Sequence, residues 1–84
     1  MAHLVYLGRF ADLAGMREER VALPADALTL AGLRAWITRR DPELGAALSH
    51  ARAQIAINHE IVRALEHPVS DNDEVAFLPP MSGG

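Results

Sequence analysis

Apolar positions along the chain switch between the spacing of a strand and that of a helix. Leu4-Val5-Tyr6-Leu7 is a short run of strand formers that suits a buried or central strand, and Gly8 ends it. Phe10, Leu13 and Ala14 fall at i, i+3 and i+4, the spacing of a one-turn amphipathic helix that Gly15 can close. Val21 and Leu23 alternate with Arg20 and Ala22, so residues 18–23 read as a half-buried strand, stopped by Pro24. Thr29 can cap a main helix whose apolar stripe is Leu30, Leu33, Trp36 and Ile37. Asp41-Pro42-Glu43 reads as the cap, first position and acidic first turn of a second, shorter helix.

The remaining third returns to strands. Ile55 and Ile57 alternate with Gln54, Ala56 and Asn58, and Asn58-His59-Glu60 is a tight turn into Ile61-Val62. Asp71-Asn72-Asp73 is the strongest turn signal, because Asn tolerates the left-handed region. Val75-Ala76-Phe77-Leu78 is the last strand, and Pro79-Pro80 stops it and stiffens the chain beyond it. The order predicts an α+β domain over residues 1–78, with an extended, flexible tail over 79–84. In that domain a mixed sheet of about five strands is covered on one face by a main helix, with the last strand beside the first. This is the β-grasp arrangement, the fold of ubiquitin. Leu4, Tyr6, Val21, Leu23, Leu33, Ile37, Ile55, Ile57 and Val75 are expected to supply much of its core.

Composition narrows the chemistry. At 84 residues the chain is one domain that buries only roughly 60–65% of its unfolded surface, so no deep private cavity is expected. The net charge is −3 and the eight basic residues, all Arg, are scattered, which argues against a nucleic-acid surface. No apolar run approaches membrane-spanning length and no leader pattern opens the chain, so a soluble, cytoplasmic protein is expected. Cysteine is absent, which removes thiolate nucleophiles and cysteine metal sites. His3, His50, His59 and His67 make no metal-binding pattern, and Ser49 and Ser70 lie in no nucleophile motif. No metal and no resident cofactor are expected.

The chain end offers a different chemistry. Pro79-Pro80-Met81-Ser82-Gly83-Gly84 is a stiff stem with a tip free of side chains. Six extended residues reach about 20 Å, enough to enter a buried site in another protein. Two terminal glycines occur by chance in roughly 1 of 200 chains, so the pair alone is a weak signal. In this context it fits a carboxyl group that an enzyme adenylates: glycines thread a narrow channel in any φ/ψ. A sulfur donor can then displace AMP and leave a thiocarboxylate, which carries sulfur without a cysteine. Phe77, Leu78 and Met81 are read either as core and tail residues or as an apolar patch for a partner.

Three segments resemble the small, sulfur-carrier subunit of molybdopterin synthase: LVYLGRFADLAG (4–15), IAINHEIV (55–62) and, most specifically, HPVSDNDEVAFLPPMSGG (67–84). The resemblance implies the β-grasp fold and two successive partners. An ATP-dependent enzyme adenylates and sulfurates Gly84, with Gly83 as its slim neighbour. The large synthase subunit, in a heterotetramer, then takes the sulfur to build the dithiolene of molybdopterin. It implies that the catalytic side chains belong to the large subunit and that Phe77, with Leu78, Pro79, Pro80, Met81 and Ser82, contacts the partner. Asn72 stands where the family usually has Gly, and Arg9-Phe10-Ala11-Asp12 is looser than the family's form. The alternatives are a sulfur carrier for thiamine thiazole, cysteine or tRNA thiolation, a ubiquitin-like modifier, and a binding module with an inert tail. As a modifier the chain would lack internal lysine acceptors.

Overall fold

Strand β1 (Ala2–Tyr6) begins the chain, and its alternation of buried and half-buried residues sets the two faces of the whole sheet. The computed structural model describes residues 1–80. Helix α1 (Arg9–Ala14) follows Gly8 and ends at Gly15, which takes the left-handed conformation at φ 74° that a helix C-terminus needs. Strand β2 (Glu18–Val21) returns antiparallel to β1. Helix α2 (Leu30–Arg40) starts at Thr29, whose Oγ1 accepts from the Gly32 N–H at 3.1 Å. The N–H groups of Leu30 and Ala31 donate to the carbonyls of His67 and Leu65, so the helix start is closed by the segment leading to the last strand. Helix α3 (Pro42–Leu48) is capped by Asp41, whose side chain accepts from Leu44 N, with proline in the first turn.

Strands β3 (Gln54–Ile57), β4 (Glu60–Val62) and β5 (Glu74–Leu78) complete a mixed sheet of order β2-β1-β5-β3-β4. The first and last strands of the sequence lie side by side and parallel in its centre. The β-grasp expectation is met, strand for strand.

One core holds the sheet to the helices. Leu4, Tyr6, Ile55, Ile57, Val75 and Phe77 face Phe10, Leu30, Leu33, Ile37, Leu44 and Leu48. The close approach of α3 to α2 depends on Gly45, where a Cβ would collide with Thr38. Two expected core residues, Val21 and Leu23, are only half-buried. They lie on or just beyond an edge strand, where one flank has no neighbour to cover it. Leu7, expected inside a buried run, lies past the end of β1 and is 41% exposed.

The left-handed turn also differs from expectation. Among the described residues the non-glycine positions with positive φ are Asn58 (51°) and His59 (72°), the β3–β4 turn. Asn72 is not one of them. The 70–73 turn is closed instead by Asp73, whose N–H donates to Ser70 O while its Oδ2 accepts from Ser70 N at 2.8 Å. Strand pairs of this kind favour turns with positive φ at both central residues, and Asn58-His59 supplies them.

Candidate functional site

Strand β5 carries the chain toward its end through the middle of the sheet. Register pairs Val75 with Leu4 and Phe77 with Tyr6 on one side, and Phe77 with Ile55 and Leu78 with Gln54 on the other. Because side chains alternate, Val75 and Phe77 point to the helices while Ala76 and Leu78 point to the opposite face. Phe77 is 1% exposed and stacks on Tyr6, with ring centroids 5.5 Å apart and planes 13° from parallel. It is a core residue, which corrects its placement in an exposed apolar patch. A contiguous Val-Ala-Phe-Leu run has no polar residue to mark which face is inward.

The face away from the helices is the one left open. Across it, register aligns Val5, Ala76, Ala56 and Ile61 in a row spanning β1, β5, β3 and β4. Ile61 is 45% exposed, and Leu78 and Val5 are half-buried. Exposed Leu7 adds to the end of the sheet at which β5 finishes. Leu78 thus lies on the open face, with exposed Leu7 and Ile61, which the sequence reading did not single out, near it. The alternation of Ile61 against Val62 opposite β3 is the signal that could have found the latter.

The root of the tail is pinned by a backbone feature. Gly8 has φ 55° and ψ −133°, and a Cβ there would lie 3.0 Å from Pro79 Cγ. Leu7 N donates to Phe77 O at 3.1 Å just before this contact. Both the conformation and the close approach require glycine. Beside it runs a groove of about 500 Å³ bordered by Val5, Leu7, Gly8, Ala11, Arg17 and Glu18. Pro79 and Pro80 are half-buried here. Gly84, expected to carry the chemistry, Gly83, its slim neighbour, and Met81 and Ser82, expected to contact the partner, lie outside the described residues.

Behind the root, a polar bridge ties the sheet edge to α2. Arg40 donates both Nη1 and Nη2 to the Glu19 carboxylate at 2.9 and 2.8 Å, and Tyr6 Oη donates to Glu19 Oε2 at 3.1 Å. The guanidinium lies 4.3 Å over the Trp36 ring. Burial, reinforced by the Glu19 charge, raises the Tyr6 hydroxyl well above the usual phenol range. The Glu19 hydrogen bonds hold Arg40 even more firmly protonated. The hydrogen bonds and the stacked ring make this bridge a strut between β2 and α2.

Three of the histidines have polar neighbours. His3 bridges Glu18 at 2.6 Å and Glu74 at 3.4 Å, His59 lies 3.5 Å from Glu74, and His50 Nδ1 accepts from Arg52 N. Among the described residues no group of three or more His, Asp or Glu could hold a metal ion. None of these pairs forms a nucleophile with its base.

The ThiS family matches residues 4–84. The chain belongs to the ThiS family. The molybdopterin synthase sulfur carrier subunit of Escherichia coli (strain K12) is 32% identical over 84 residues, covering 100% of both chains. The molybdopterin synthase sulfur carrier subunit of Chlamydomonas reinhardtii is 32% identical over 82 residues, 96% of this chain and 95% of the other. The crystal structure of SAMP1 from Haloferax volcanii superposes with a TM-score of 0.79 at 25% identity, covering 99% and 98%. The ThiS-family match runs through Gly83 and Gly84.

Proposed function

We propose that the chain carries sulfur on the carboxyl group of Gly84 for the synthesis of molybdopterin. An activating enzyme joins that carboxylate to the α-phosphate of ATP and releases pyrophosphate. A sulfide-equivalent donor attacks the acyl carbon, AMP leaves with the C–O electron pair, and a thiocarboxylate remains. The large synthase subunit, in a heterotetramer, takes the sulfur into the dithiolene, and water returns the carboxylate. ATP is a cosubstrate of the activating enzyme, and the catalytic side chains are the partner's. The setting is the cytoplasm.

The observation that carries this reading is end-to-end similarity to sulfur carrier subunits of molybdopterin synthase, with both chains covered in full. The geometry supports it. Gly8 packs against Pro79 where β5 leaves the sheet, and the open face beside them offers Leu7, Ile61 and Leu78 to a partner. Val5, Ala76 and Ala56 extend that apolar strip. A single surface of this kind serves both partners in turn, since each must receive the same tail.

The test is the intact mass after incubation with an activating enzyme, ATP and a sulfide donor. Replacement of one oxygen by sulfur at Gly84 is expected, and its loss when large subunit and precursor are added. Removing Gly84 shortens the stem by about 3.5 Å and is expected to abolish transfer while leaving the fold intact. A Gly84-deleted chain that still delivers sulfur at the full rate overturns the reading. A second reading rests on the match to the ThiS family as a whole: the sulfur could go to another acceptor. Formation of the thiocarboxylate with no discharge to the molybdopterin precursor would select that reading.

A further inference from the structure

Away from the Gly8 groove, a depression of about 280 Å³ opens where β3 and β4 meet α2. Leu30, Ile55 and Val62 form its apolar floor, and Arg34, His50 and Arg63 stand at its rim. Among the described residues no Asp or Glu lines it, on a chain whose net charge is −3. The other cations of α2 already have partners, Asp26 for Arg39 and Glu19 for Arg40. Among the described residues Arg34 and Arg63 pair with no carboxylate. His50 Nδ1 accepts from Arg52 N at 3.0 Å, so its ring proton stands on Nε2 as a donor. Arg34 is half-buried, and its guanidinium is a planar fork of donors that fits a carboxylate in two parallel hydrogen bonds. The volume falls short of the roughly 300–1,000 Å³ of sites for drug-sized molecules, so an acidic side chain fits it better than a nucleotide does.

The fold places this cationic pocket beside the open face. Gln54, which also lines it, pairs with Leu78 at the end of β5, and the Ile55–Val62 pair puts Arg63 next along β4. Adjacent strands lie about 4.8 Å apart, so Arg63 is about 10 Å from the strand that ends in Leu78. A standard interface covers about 800 Å² of each partner, a disc of about 16 Å radius. A protein seated on Leu78 therefore reaches the pocket. Acidic residues lie at the opposite end of the same strands, with Glu60 on β4 opposite Ile57 and Asp73 and Glu74 at the start of β5. Strands β3 to β5 are thus acidic at one end and basic at the other, and the basic end is where β5 leaves the sheet.

We propose that this pocket anchors an acidic side chain, Asp or Glu, of the large synthase subunit, held by Arg34 and Arg63 while that subunit covers the open face. The inference rests on the reading of the open face as the surface the large subunit covers. The experiment measures by calorimetry the binding of the large subunit to the native chain, Arg34→Gln, Arg63→Gln and Arg20→Gln. The last removes the same charge from β2, at the opposite edge of the sheet. Thermal melts establish that each variant is folded. Arg34→Gln and Arg63→Gln are each expected to weaken binding about tenfold and to flatten its dependence on salt, and Arg20→Gln to change it less than about twofold. Arg63→Lys adds a direct readout, because it introduces the only side-chain amine of a chain without lysine. A carbodiimide, which joins an amine to a carboxylate in contact with it, is expected to link position 63 to an Asp or Glu of the large subunit. Position 20 in Arg20→Lys is expected to stay unlinked. Native affinity in Arg63→Gln, or equal weakening by Arg20→Gln, overturns the proposal, as does an Arg63→Lys complex with no link from position 63. Should Arg34→Gln fail to fold, the two position-63 variants decide. A native chain that does not bind the large subunit overturns the covered-face reading itself, and this inference with it.

Discussion

Phe77 and Leu78 are neighbours of similar character with opposite employment. Phe77 is sealed against Tyr6 beneath the helices, and Leu78 looks out from the open face. The first holds the domain together and the second is available to a partner. Hydrophobicity at the end of this strand therefore does not announce its purpose. Only the strand's register, set by β1 and β3, divides stability from recognition.

The comparison breaks most visibly at Phe77. Phe77→Ala removes a fully enclosed ring and its stacking on Tyr6, and is expected to cost about 3–5 kcal/mol in denaturant unfolding. In a domain this small that approaches the whole stability. A loss below about 1 kcal/mol would place the ring outside the core.

Gly8 comes next, because it joins the two regions. Gly8→Val forces a β-branched residue into φ 55°, ψ −133° and drives its Cβ toward Pro79. The expected cost is about 1–3 kcal/mol of stability. Sulfur transfer should fall further than the loss of folded protein explains, since the stem is re-aimed. Rates that track the folded fraction alone would show that Gly8 is merely conformational.

Leu78 and Ile61 test the outward side. Each to Ala should weaken binding of the large subunit by about 1–3 kcal/mol, measured by calorimetry, while unfolding free energy changes by less than about 1 kcal/mol. Equal damage to stability and affinity would erase the distinction between the faces. So would unchanged affinity.

Much of this organisation is visible in the chain itself. Thr29 and Asp41 announce two helix starts by the acceptors they carry, and Gly15 announces a helix end; each does that job in the fold. Val75 and Pro79-Pro80 mark the last strand and its stop. The side to which Phe77 turns is not visible, because a central strand is apolar on both faces and its pattern carries no phase. Val21 and Leu23 alternate as core residues do, yet the edge position of β2 leaves them half-covered. The seat of Pro79 escapes for another reason: Gly8 reads as the end of a strand, and its partner lies at the far end of the sequence. Asn72 drew attention as a left-handed residue, whereas the turn that needs positive φ falls at Asn58-His59.

The smallest expected effect concerns what fixes the register. At the start of β5, Asn58 Nδ2 donates to Asp73 Oδ1 at 2.9 Å, and Glu74 N donates to Asn58 Oδ1 at 2.9 Å. With the Ser70 N–H also donating to Asp73, the carboxylate ties the β3–β4 turn to the 70–73 turn, and Asn58 ties both to the first residue of the strand. A slip of one position would send Phe77 outward and Leu78 in. The backbone hydrogen bond from Ser70, aided by Asn58, lowers the Asp73 pKa below the usual carboxylate value. Linkage gives the sign: the folded state favours the ionised form, so the contribution is complete above the unfolded pKa and is lost as pH falls through the lowered one. Asp73 is half-buried at the surface, so screening should keep the effect below about 1 kcal/mol. Thermal melts of the native chain and Asp73→Asn, from neutral pH down through the carboxylate range, should show native protein ahead at neutral pH and the two curves converging in acid. A gap that stays constant with pH would mean that the charge of Asp73 plays no part in holding β5 in place, and that its shape alone suffices.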